Sequence, residues 1–229
     1  QSFVDLAGVE VDAKGAVTGR LFRLDDWLRE RLASDMETDV KALSERLSSY
    51  GITGFTDTSA TNTDDTAALF ADWRSQGLLR QRVMLMGGDQ LCEGPLKIVL
   101  DEDALPPLPE LIRRLRRARA AGRALAFHCV THIELLFALS ALDAVEPDRR
   151  DRIEHGAIVY DEVLGLLRER GVSVVTQPGF LWQRGERYLQ DLSGLEIDHL
   201  YRHAGLAAAG INVVAVSYTH LRAHETLLD

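Results

Sequence analysis

Short apolar runs alternate with helix-patterned runs along most of this chain, and that alternation narrows the folds open to it more than any other feature. Strand-like runs start near Ile52, Arg82, Leu96, Ala124, Arg152, Val172 and Ile211, seven in all. Before the first of them, Val40, Leu43, Leu47 and Tyr50 recur at helical spacing and Gly51 supplies a left-handed stop. Thr63 or Asp64 is placed to cap a helix that carries Ala67, Phe70 and Trp73 and ends near Gly77. Pro106, Pro107 and Pro109 lead into a helix with Leu108, Leu111, Ile112 and Leu115 on one side, closed by Gly122. The run from Ile133 to Leu142 is apolar nearly all round, as expected of a helix wedged against a sheet. A helix is predicted over 161–170 and another around 200–209, with a long loop between 177 and the latter.

Strict strand and helix alternation specifies an α/β fold with a parallel sheet, and the reading is a TIM-type (β/α)8 barrel. That barrel is expected to be incomplete, with its first strand before residue 1 and the end of its last strand altered. Residues 1–33, with turn-forming Gly15 and Gly19, read as a loop or small hairpin preceding the barrel repeats of 34–216. Residues 217–229 drop the turn chemistry expected after a buried strand and read as a non-native tail.

A chain of 229 residues buries one sizeable core without a second domain. Its formal charge of -9 argues against nucleic acid or an anionic membrane as partner and leaves a small-molecule substrate. Cys92 and Cys129 form no C-x-x-C pair, so neither a disulfide framework nor a thiolate zinc site is expected, and a reducing cytoplasm is the expected compartment. No apolar run has the length of a membrane-spanning helix, and the opening residues lack the basic and apolar regions of a signal peptide. Gln1 is not an initiator methionine, so the true amino terminus is expected upstream. The run Arg113, Arg114, Arg116, Arg117 and Arg119 lies beside an apolar stripe and reads as the solvated face of an outer helix.

Two strand runs end in histidine, Ala-Leu-Ala-Phe-His at His128 and Arg-Ile-Glu-His at His155. A lone histidine in an apolar strand is more often a satisfied core residue than a ligand. Two at the carboxyl ends of successive parallel strands would bring both imidazoles to the face where such barrels carry their chemistry, half of a zinc site. Lys97 sits in the greasy run Pro-Leu-Lys-Ile-Val-Leu, where an ammonium must lose its charge, find an anion or be chemically changed. Pairing with Asp101 or Asp57 is one outcome; reaction with carbon dioxide is another, giving a carbamate whose two oxygens can bridge two divalent ions. Glu154, one residue before His155, is expected to face the helical layer and pair with an arginine. Gln177 at a strand end, and Arg184 and Tyr188 in the loop expected to follow, are candidates for substrate contact. His220 and His224 stand four apart, but Leu221 occupies the place of the glutamate that a His-Glu-x-x-His zinc site requires.

Gly-Ile-Thr-Gly-Phe-Thr-Asp, Leu-Lys-Ile-Val-Leu-Asp, Phe-His-Cys-Val, Arg-Ile-Glu-His-Gly and Val-Val-Thr-Gln-Pro-Gly-Phe are, in that order, similar to barrel strands of the amidohydrolase superfamily, and most of all to its amidohydrolase 3 group. The resemblance spans about 51–216. It implies a metal-dependent hydrolase acting on carbon–nitrogen bonds other than peptide bonds, in amides, formamides or cyclic amides. It also implies one or two divalent ions, zinc foremost, held by a carbamylated Lys97 with His128 and His155. Two departures stand out. No His-x-His pair precedes Gly51, and where the family has an aspartate after the last strand to take the proton from water, Ser217 runs into Tyr218. The catalytic residue is therefore unassigned, and the chain is expected to be an inactive or weakened fragment whose tail resembles a non-native peptide found at the ends of reading frames assembled from environmental DNA. Two alternatives are a mononuclear, deaminase-like site with Lys97 unmodified, and a non-catalytic barrel that binds a small ligand or a partner. The sequence sets neither the substrate nor the oligomeric state.

Overall fold

All seven strand-like runs form strands, and every pairing among them is parallel and between neighbours in chain order. In this computed structural model the described residues are Leu6, 8–21, Leu24, Trp27, Leu28, Arg31 and 39–216. The expectations placed on Ser217, Tyr218, His220 and His224 lie outside them. The chain divides into two units, Val40–Val216 and the residues flanking it. In the first unit to occur along the chain, β1 (Val9–Val11) and β2 (Val17–Leu21) pair antiparallel. The turn between them is closed by Asp12, whose carboxylate accepts from the backbone N–H groups of Lys14 (2.9 Å) and Ala16 (2.8 Å).

The second unit opens with α1 (Val40–Ser49), and Gly51 ends it with φ +75, a left-handed conformation that costs glycine nothing. Strand β3 (Gly54–Asp57) follows, then α2 (Asp64–Ser75) and β4 (Arg82–Leu85). Thr63 is the cap of α2: its hydroxyl accepts from Thr66 N–H, and the Thr66 hydroxyl accepts from Thr63 N–H in return. Strands β3 and β4 form a two-stranded sheet, and β5 (Leu96–Val99), β6 (Leu125–Cys129), β7 (Arg152–His155), β8 (Ser173–Thr176) and β9 (Val213–Ala215) form a five-stranded one. A parallel bridge between Gly87 and Leu96 links the two. Helices α3 (Leu108–Ala120), α4 (His132–Asp143) and α5 (Leu164–Arg170) fill the crossovers. Among the described residues β3 and β9 end the strand order and do not pair with each other, so the parallel sheet is open and no closed barrel is formed.

One expectation is corrected between β8 and β9. The predicted long loop is largely helical: α6 (Gly179–Asp191), α7 (Gly194–Asp198) and α8 (His203–Ala208). Gly179 and Gly185 obscure the helical signal, but Phe180, Arg184, Tyr188 and Leu192 recur every four residues on the less exposed side of α6.

Leu96 and Ile98 of β5, Leu125, Phe127 and Cys129 of β6, Ile153 of β7 and Val174 of β8 share one face of the sheet. They pack against Leu111 and Leu115 of α3, Leu135 and Leu139 of α4, Leu167 of α5 and Leu206 of α8. The alternate positions, Lys97, Val99, Ala126, His128, Arg152, Glu154, Ser173 and Val175, are in register on the opposite face. Helical cover on the first face therefore dictates what the second must carry.

The amino-terminal ends of the strands are tied by arginines: within the arginine run Arg113, Arg116 and Arg117 are exposed, as a solvated face requires, while Arg114 and Arg119 are half-buried and turn to acidic partners. Arg114 pairs with Asp89 at 2.8 Å, and Arg119 with Asp148 at 3.2 Å and with buried Asp151 at 2.5 Å. The second carboxylate oxygen of Asp151 accepts from Leu125 N–H at 2.8 Å. The side-chain hydrogen bond from Arg150 holds the Asp148 carboxyl down at about 2. Arg123, also buried, donates from Nε to Gly94 O (2.9 Å), from Nη1 to Gly88 O (3.1 Å), and from Nη2 to Gly87 O (3.0 Å) and Pro95 O (3.2 Å). This guanidinium is the clasp of the β4–β5 connection. Replacing it removes four hydrogen bonds and takes from Gly94 O the donor it has here, so Arg123→Met is expected to destabilise the protein by about 3 kcal/mol in urea denaturation. Arg123→Lys should recover less than half of that, because an ammonium cannot span the same carbonyls.

Candidate functional site

Lys97 lies in the middle of β5 on the inward face, only 5% exposed. Its register partner is Ala126, two residues before His128 on the same face, so Lys97 sits about 7 Å deeper along the strands than the histidine. Burial pulls the ammonium from its ordinary 10.5 down to about 8; Glu154 works in the opposite direction and Arg152 adds to the lowering. The anionic group acting on Lys97 is thus Glu154, not the Asp101 or Asp57 expected as partners. Asp57 instead accepts from Ser59 N–H (2.9 Å) and from the Asn62 amide (3.0 Å), and Asp101 caps the turn at Asp103 N–H (3.2 Å).

Glu154 overturns a second expectation. It is in register with His128 and so faces inward, away from the helical layer. Its carboxylate is 1% exposed and lies 2.5 Å from Arg152 Nε, so the expected arginine partner is found, two residues back on the same strand and face. Strict alternation would put Glu154 on the side opposite His155. That residue does not obey it: by register it is level with Cys129 on the helical side, yet its ring centroid is 4.4 Å from that of His128, edge to face at 76°.

The reason is local. His155 has φ +70 and Gly156 φ +51, two successive left-handed residues that turn the chain as the strand ends. A histidine in this region carries strain of the order of 1 kcal/mol, which the surrounding packing must hold. Gly156 N–H donates to Cys129 O at 3.0 Å, and a Cβ at Gly156 would come within 2.8 Å of Val174 Cγ1, so only glycine lets the turn sit this close to β8. The two imidazoles meet as expected, although by a reversal of the backbone and not by strand alternation.

Gln177, at the end of β8, is 1% exposed; its Oε1 lies 2.6 Å from His155 Nδ1, and its Nε2 donates to Val175 O at 3.1 Å. This candidate for substrate contact thus touches His155, itself a candidate metal ligand. Arg184 and Tyr188 were expected on a loop; both are on α6. The Arg184 guanidinium lies over the Phe180 ring at 5.4 Å, the Tyr188 ring is 6.1 Å from that of Tyr201, and the buried Tyr188 hydroxyl has no hydrogen-bond partner among the described residues.

His128 and His155 are two nitrogen donors side by side, and Lys97 as an ammonium adds none. Among the described residues no group of three or more His, Cys, Asp and Glu side chains is placed to hold a metal ion. Lys97 would add a third donor to the two ring nitrogens only if its amine were converted to an anionic carbamate, whose oxygens can bind a cation. The arginine partner of Glu154 is as expected, but the inward facing of the Arg-x-Glu pair is not, although two charges two apart in a strand necessarily share one face.

No family model matches the chain, and no curated protein does. Solved structures do. An uncharacterized metal-dependent hydrolase from Pyrococcus furiosus aligns over 93% of this chain and 54% of its own, with a TM-score of 0.67 and 16% identity. Another from Pyrococcus horikoshii aligns over 93% and 52%, with 0.66 and 17%. The A. niger ochratoxinase aligns over 76% and 54%, with 0.57 and 14%.

The depressed Lys97 gives a signed prediction. Between pH 8 and 10.5 the unfolded chain binds the proton that the folded chain has lost, so this residue's destabilising contribution, complete below pH 8, fades as pH rises. Wild-type stability should gain on that of Lys97→Met by about 3 kcal/mol across this window in denaturant titrations; parallel pH profiles would remove Lys97 as a buried amine. In fold, then, this chain is like two metal-dependent hydrolases and an ochratoxinase, and it spans about half the length of each.

Proposed function

We propose that this chain is part of a metal-dependent hydrolase of the amidohydrolase superfamily, acting on carbon–nitrogen bonds of small molecules other than peptide bonds. The observation that carries the reading is a buried lysine, its pKa near 8, on the same inward face as a contacting pair of histidines. With that pKa about one amine in ten is neutral at pH 7. The neutral Nζ can form a bond to the carbon of carbon dioxide and release a proton, leaving an anionic carbamate. The carbamate, His128 and His155 would then hold one divalent ion, zinc being the cation best matched to imidazole donors. Such an ion supplies Lewis acidity to a carbonyl and acidifies water.

This chain's own residues do the placing. The His155 turn presents one imidazole to the other, and Arg152 holds Glu154 within the inward face. Glu154 favours a second reading: a carbamate at Lys97 would face a carboxylate, so an unmodified lysine in a mononuclear, deaminase-like site relieves that repulsion. Substrate contacts by Arg184 and Tyr188 belong to either reading.

Zinc titration of the chain separates these readings from a non-catalytic barrel. Near-stoichiometric binding is expected, weakened at least tenfold by His128→Ala or His155→Ala. A mass gain of one carbon dioxide on Lys97 in bicarbonate selects the carbamate form, and its absence alongside zinc binding selects the mononuclear one. No zinc uptake by the wild-type chain would sink both.

A further inference from the structure

We infer that Gln177 is a positioning residue that fixes the proton of His155 on Nδ1 and aims Nε2 into the inward face. The inference rests on the metal-site reading above and gives the residue that follows β8 a role within it.

An amide's oxygen and nitrogen are told apart by what they bond. Here one end of the Gln177 amide lies 3.1 Å from Val175 O, which can only accept, so that end is the NH2 group. The other end, 2.6 Å from His155 Nδ1, is therefore the carbonyl oxygen. A carbonyl oxygen accepts and does not donate, so in the neutral ring Nδ1 carries the hydrogen and the acceptor lone pair is on Nε2. Neutral imidazole in water prefers the other tautomer, so the preference must be imposed. Burial lets it be imposed: with His155 6% and Gln177 1% exposed, water does not compete for the bond. The geometry is also braced at both ends. Val175 and Gln177 belong to the same strand end, and the left-handed turn at His155 and Gly156 packs against Val174 of that strand. A ring held this way keeps one nitrogen pointed at a cation before any cation arrives.

The test reads the tautomer directly, in the metal-free protein, from long-range proton–nitrogen correlations of 15N-labelled His155. Wild type should show the Nδ1–H form. Gln177→Leu, which lacks the acceptor, should shift the ring to Nε2–H and weaken zinc binding by 10- to 100-fold. Gln177→Glu, whose carboxylate accepts the same proton, should keep Nδ1–H and stay within tenfold of wild type. An Nε2–H ring in wild type, or a Gln177→Leu protein with tautomer and zinc affinity both unchanged, overturns the inference. If Gln177→Leu does not fold, the wild-type and Gln177→Glu spectra still decide. A wild-type chain with the Nδ1–H ring that takes up no zinc supports the hold of Gln177 on His155 and overturns the metal reading alone.

Discussion

Helices cover one face of the five-stranded parallel sheet, and everything else about this molecule is arranged around that seal. Period-two alternation sends Leu96, Ile98, Leu125, Phe127 and Ile153 into the helical layer and leaves the intervening positions to the other side. Those positions include Lys97, Arg152 and Glu154, three charges that are expensive to bury singly. They are tolerable together because each offsets part of another's lost hydration: Glu154 supports the Lys97 ammonium and pairs with Arg152 at 2.5 Å. Altering any one of them changes the charge state best suited to the remaining two.

The two ends of the strands have different physical tasks. At the amino-terminal end, Arg119, Arg123, Asp148 and Asp151 form ion pairs and carbonyl bonds that join successive strand–helix units. At the carboxyl end the backbone departs from regular geometry. His155 takes a left-handed conformation, Gly156 follows it, and both histidine rings and Gln177 converge there. Strain of this kind persists only where neighbours over-determine the conformation, and the close approach of Gly156 to Val174 supplies the constraint. Barrels of parallel βα units generally keep stability at the amino-terminal ends of their strands and chemistry at the carboxyl ends.

Much of this was legible before any coordinates. Apolar periodicity located the seven strands and most helices, and capping and stop residues such as Thr63 and Gly51 marked boundaries by mechanisms local to a few residues. The special status of Lys97, His128 and His155 was legible too, because an ammonium in a greasy strand and histidines at strand ends are chemically out of place wherever the sheet lies. Helix α6 was not legible, since Gly179 and Gly185 lower the helical propensity of the segment and its packing side is set by what surrounds Phe180 and Tyr188.

By itself, then, the amino-acid order determined the succession of strands and helices, the alternation within each strand, and the residue types available for chemistry, because these depend on local sterics and on the separation of apolar from polar groups. Only the tertiary structure decided which way Glu154 faces, how His155 reaches His128, and that Gln177 bonds to His155 across two strands. Each of these hinges on a sign change in φ or on a contact between residues far apart in the chain, and neither leaves a period in the sequence.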